Sequence, residues 1–164
     1  MVMKTNLFAY SLAIVFAVAL PFDQTFAQTA DETATVDKVA AKAIEYLKTA
    51  GQNPEDGSYS SFAGPAVTAL VTTAMLKHGE SLDDPHIAKS LEYLSRAFDG
   101  KEGFVQPDGG IYKSESVYKN YETSLAIVCF GEANKDGRYD TLIENAVRYS
   151  KGTQWAEGRG IDEA

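Results

Sequence analysis

The sequence repeats itself, and the length of the repeat restricts the folds open to it. Ala43-Ile44-Glu45-Tyr46-Leu47 returns 47 residues later as Ser90-Leu91-Glu92-Tyr93-Leu94, and after a further 56 as Ala146-Val147-Arg148-Tyr149-Ser150. Between these copies, Asp56-Gly57-Ser58-Tyr59 has its counterpart in Asp108-Gly109-Gly110-Ile111-Tyr112. Each loop leads into an apolar segment, marked by Thr68-Ala69-Leu70 and Thr123-Ser124-Leu125. A period near fifty residues with one unit design predicts a repeat architecture, in which each unit buries its apolar face against its neighbours.

Before the repeats, residues 1–27 read as an export signal. Lys4 is the only charge ahead of the apolar run from Leu7 to Leu20, Pro21 breaks the run, and Thr25-Phe26-Ala27 places small residues at the minus-three and minus-one positions for cleavage after Ala27. A run of that length covers only about 21 Å as a helix, short of a hydrocarbon core, so no lasting membrane span is expected. Residues 28–35 form a polar lead, and residues 36–164 carry the repeats. Removing the signal takes away Lys4 and Asp23 together, so the net charge of −8 is unchanged. An acidic chain without a basic stripe is a poor partner for nucleic acid. The single cysteine, Cys129, closes no internal disulfide, so stability must come from packing.

Apolar spacing predicts five helices of two kinds. Val36, Val39, Ala40, Ala43, Ile44 and Leu47 share one face of a first helix that Gly51 stops. The second begins at Gly64-Pro65 and runs to His78. Its only polar groups from Ala66 to Leu76 are Thr68, Thr72 and Thr73, so it is expected to be buried on most sides. The third is capped by Asp84 ahead of Pro85 and shows Ile87, Leu91, Leu94 and Phe98 on one stripe. The fourth, from about Tyr118 to Ala133, holds the apolar run Leu125 to Phe130. The fifth, from Tyr139, gathers Leu142, Ile143, Ala146 and Val147 on one side. One-sided and enclosed helices thus alternate, as they do in two concentric rings of helices or in a flat solenoid with a deeply buried layer.

The loops add a glutamine, a glycine and an aromatic: Gln52 with Gly57 and Tyr59, then Gln106 with Gly110 and Tyr112. This pattern resembles the glutamine-tryptophan repeat of the terpenoid cyclase and protein prenyltransferase superfamily, the α/α-toroid proteins, with tyrosine in place of tryptophan. The resemblance covers about Val36 to the end. It implies an all-α partial toroid of about two and a half helix-pair repeats, with the six loop residues as structural ties. The third copy, Gln154-Trp155-Ala156-Glu157-Gly158, departs from the pattern. A partial ring leaves apolar helix faces uncovered, so residues 28–164 are expected to self-associate or to stay loosely packed.

Catalytic signatures of the superfamily are not reproduced. Squalene-type cyclases use an aspartate-rich run, and Ser81-Leu82-Asp83-Asp84 lacks its first acid. The zinc site of the prenyltransferases needs an aspartate two residues before a cysteine, where Cys129 has Ile127, and His78 and His86 sit at helix ends. No metal and no cofactor are therefore assigned. Glu122 has two readings. Beside a ring cavity it is a candidate general acid, with Tyr121, Thr68 and Thr72 as candidate lining; otherwise it is a first-turn acid favoured by the helix dipole. The expected function is binding, of an apolar small molecule or a protein partner. The alternative is an isoprenoid or triterpene cyclase or prenyltransferase-like enzyme with its active-site residues in further repeats.

Overall fold

The computed structural model describes residues 30–154; the proposed signal and the loop copy from Trp155 onward lie outside the described residues. The chain divides into two units, residues 1–36 and 37–164, and the helix packing lies within the second. The described residues are all-α, with helices α1 (Ala30–Tyr46), α2 (Pro65–Lys77), α3 (Pro85–Ser95), α4 (Lys119–Ala133) and α5 (Asp140–Gly152). They hold isolated bridges, Ala97 to Val105 and Val105 to Ile111, but no strand. No helix among them is long and apolar enough to cross a membrane.

The helix ends follow the expected chemistry. A π-helical turn, Leu47–Gly51, closes α1 at the glycine, and Pro65 and Pro85 occupy first turns, where a missing N–H costs nothing. Asp84 caps α3, its carboxylate accepting from the His86 backbone N–H at 2.8 Å. Two boundaries differ from expectation. The helix α1 takes in the polar lead from Ala30, where Asp31 and Glu32 fall in its first turn, a placement the helix dipole favours. In turn, α3 ends at Ser95, because Arg96 is extended and its carbonyl accepts from Phe104 and Val105. Phe98 therefore lies beyond the helix stripe it was expected to share.

Two helix hairpins make the body. The short connections 78–84 and 134–139 fold α3 back on α2 and α5 back on α4, and α2 also packs on α4. Those two helices run parallel. The carboxylate of Glu122 lies 3.3 Å from where a Cβ on Gly64 would stand, Thr73 lies beside Cys129, and Lys77 pairs with Glu132, so residue numbers rise together along both. The core between the layers contains Tyr59, Met75, Ile87, Leu91, Leu94, Ile111 and Phe130. One expectation is corrected: α2 and α4 are not enclosed all round. Leu70 is 53% exposed and Val128 48%, because among the described residues each helix packs closely on one parallel neighbour and one hairpin partner and on no further α-helix.

A polar tie joins α1 to α3. Lys48 Nζ lies 2.8 Å from Asp84 Oδ2 and also pairs with Glu80. Burial alone would raise the Asp84 carboxyl, but the hydrogen bonds from Lys48 and His86 outweigh it and hold its pKa at about 2, below the ordinary 3.8. A depressed carboxyl contributes stability that is present above pH 4 and lost as pH falls through 2. Asp84→Ala is expected to cost about 1–2 kcal/mol at neutral pH, from cap and ion pair together. It should also remove about 1 kcal/mol of the wild-type loss between pH 4 and 2. Urea unfolding at a series of pH values measures both.

Candidate functional site

The repeat loops are built alike, and their hydrogen bonds fix the register between them. Asp56 accepts from Ser58 N at 2.9 Å, and Asp108 from Gly110 N at 2.9 Å. The Asn53 N–H donates to Ser58 O and the Gln106 N–H to Gly110 O, both at 2.8 Å. The Tyr59 N–H donates to Thr68 Oγ1 at 2.9 Å, and the Ile111 N–H to Thr123 Oγ1 at 3.1 Å. Gly57 approaches the Lys89 carbonyl and Gly109 the Asn145 carbonyl. These two carbonyls lie four residues before Tyr93 and Tyr149, so the loops keep step with the outer helices.

The register pairs Gly57 with Gly109 and Tyr59 with Ile111, one residue away from the matching of Gly57 with Gly110 and Tyr59 with Tyr112. Gly110 has its own reason to be glycine, since the Tyr112 ring fills the place of its Cβ. The tyrosines also act differently. The Tyr59 hydroxyl donates to the Met75 sulfur at 3.6 Å. Tyr112 donates to Asp108, and its ring centroid lies 5.4 Å from that of Tyr149. The glutamines diverge too. Gln52 Nε2 reaches the His86 carbonyl at 2.8 Å and Ser90 Oγ at 2.9 Å, tying its loop to α3. Gln106 Nε2 donates to the Tyr112 carbonyl at 2.9 Å, within its own loop. Gln106 thus stands, by its backbone role, in the place of Asn53.

Glu122, the candidate acid, is buried, and its oxygens are engaged. They accept from the Lys113 N–H at 2.8 Å and from the Ser116 hydroxyl, holding the chain that enters α4. Tyr121 beside it is 59% exposed and lines an open groove with Val117, Tyr118 and Tyr149. Thr68 and Thr72 are fully buried; Thr68 is bonded to Tyr59, and the Thr72 hydroxyl has no hydrogen-bond partner. The structure therefore does not gather Glu122, Tyr121, Thr68 and Thr72 around one cavity. Helix periodicity sends adjacent side chains about 100° apart, which separates Tyr121 from Glu122.

Other reactive groups are quiet. Burial pushes the Cys129 thiol up to about 12 and the Tyr59 and Tyr93 hydroxyls to about 12, so each stays protonated at neutral pH. Three or more His, Cys, Asp and Glu side chains nowhere converge in metal-binding geometry among the described residues. A cleft of about 400 Å³ lies over Tyr93 and Phe104, lined by the cations Arg96, Lys101 and Lys113 and the acids Asp56, Glu102 and Glu115. Such a balanced rim favours neither sign of charge.

The feature missed in the sequence is that each inner helix keeps an open apolar surface, at Leu70 on α2 and at Tyr121 and Val128 on α4. Phe62, Val117 and Tyr118 are also exposed near the helix starts, and α1 separately exposes Val36, Val39 and Tyr46. The equivalence of Thr68 and Thr123 was a signal that could have located the open surfaces of α2 and α4, because it aligns every position of one helix with one on the other. Comparison with protein-family models, with curated proteins and with solved structures finds no match.

Proposed function

We propose that this chain is an exported helical-repeat protein of the terpenoid cyclase and prenyltransferase toroid kind, whose work is binding rather than catalysis. The observation that carries this is the apolar surface that α2 and α4 each leave open to solvent, at Leu70 on one and at Tyr121 and Val128 on the other. Parallel inner helices, outer helices folded back on them and two loops of one design support the repeat reading. The signal-like residues 1–27 support export to a periplasmic or extracellular space. The enzyme alternative draws less support, since both Glu122 oxygens hold neighbouring chain.

One preparation tests both halves of this reading. Protein recovered from an exporting host should begin at Gln28 and, when dilute, should enhance the fluorescence of an apolar dye. Leu70→Glu with Val128→Glu should remove most of that enhancement. An uncut amino terminus would overturn export, and a dye signal indifferent to both substitutions would overturn the binding face.

A further inference from the structure

We propose that the open flank of α4 receives the open flank of α2 from a second copy of this chain, repeating head to tail the contact that α2 and α4 already make. This rests on the reading of the inner helices as a binding face and names the occupant.

Thr68 and Thr123 occupy equivalent places, which aligns α2 with α4 residue by residue. On α2, the stripe that meets α4 runs through Ala66, Ala69, Thr73 and Lys77, and its first three members are buried. Moved one repeat along, the same stripe falls on Tyr121, Ser124, Val128 and Glu132 of α4. There the first three are exposed. The converse holds on the other side. The face by which α4 meets α2 contains Glu122, Ala126, Cys129 and Ala133, all buried. Its α2 equivalents are Val67, Val71, Ala74 and His78, of which the first two are half-buried and the last two exposed. Each helix therefore leaves open the surface that the internal contact covers on the other. A donor flank and an acceptor flank of matching design lie on opposite sides of one molecule.

Charge and size favour the same partner. Lys77 pairs with Glu132 inside the chain. One repeat on, Glu132 stands where Lys77 stood, and a docked copy would present Lys77 where Glu132 stood. The pair would form again with opposite charges exchanged, and Lys77 keeps 59% of its side chain exposed for it. Ser124 and Gly131 leave the α4 flank low, with nothing within 4 Å of where a Cβ on Gly131 would lie. Small residues of this kind let two helices approach closely. A contact of one flank with a different flank is heterologous, so it propagates into rings or open chains rather than stopping at a two-fold dimer.

The experiment uses protein purified after expression of the full-length chain, with mass measured by sedimentation equilibrium over a concentration series. Wild-type mass should rise beyond that of one chain as concentration increases. Ala74→Glu spoils the α2 flank and Val128→Glu the α4 flank; both side chains are already exposed, so both variants should fold, which circular dichroism checks. Each alone should remain a single chain. Mixed in equal amounts they should give a species of twice the mass and none larger, because each supplies the flank that the other lacks. Association of either variant alone, or failure of the mixture to pair, would overturn the head-to-tail contact. A wild type that stays a single chain yet binds the apolar dye through Leu70 and Val128 would remove the second copy as occupant and leave the binding face standing. A single chain without such dye binding would remove both.

Discussion

Gly57→Ala is expected to destabilise the protein by about 3 kcal/mol, and Gly109→Ala by a similar amount. Two effects combine. Both glycines have positive φ, +80° and +92°, where a Cβ costs about 1–2 kcal/mol. In addition, a Cβ on Gly57 would stand 2.6 Å from the Lys89 carbonyl oxygen, and one on Gly109 2.9 Å from that of Asn145. These are backbone atoms of α3 and α5, so the loop or the helix must move. Gly79 separates the two effects. Its φ is +96°, but nothing lies within 4 Å of the added carbon, so Gly79→Ala should cost only about 1–2 kcal/mol. Urea midpoints of the three variants measure the difference, and equal losses at Gly57 and Gly79 would mean that the loop does not lean on α3.

Phe130→Ala should cost about 3–5 kcal/mol, the range for emptying a buried aromatic site. Phe130 is fully buried on α4, and its ring centroid lies 4.8 Å from that of Tyr139, which leads into α5. Removing the ring uncouples the α4–α5 hairpin from the core cluster. Val128, two residues away on the same helix, is about half exposed, so Val128→Ala should cost less than about 1 kcal/mol. Thermal unfolding of the pair tests whether α4 has an inside and an outside along the unbroken apolar run Leu125 to Phe130.

The helices were legible because their ends carry local chemistry: Gly51 stops one, Pro65 and Pro85 open two, and the Asp84 cap works within two residues of itself. The loop register was less legible. Gly109 and Gly110 offer two glycines to align with Gly57, and the tyrosine at position 112 imitates the one at 59. The choice is made by backbone bonds, Tyr59 to Thr68 and Ile111 to Thr123, which exist only once the loops close. Glu122 illustrates a further limit. Its place in the first turn of α4 could be read, but its partners Lys113 and Ser116 belong to a loop whose path is set by the whole packing. The open flanks depend on which neighbour each helix has, and a helix of uniform apolarity does not encode that by its period.

The seating of the loops gives the molecule a direction. Residues 52–58 rest on α3 and residues 106–109 on α5, so each turn is braced by the outer helix that comes after it. Loss of order at α5 would withdraw support from the turn ahead of α4, whereas loosening the start of α1 would leave both braces in place. Unravelling should therefore spread backward along the chain, from the α4–α5 hairpin toward the α2–α3 hairpin, as in a stack whose members are coupled only to their neighbours.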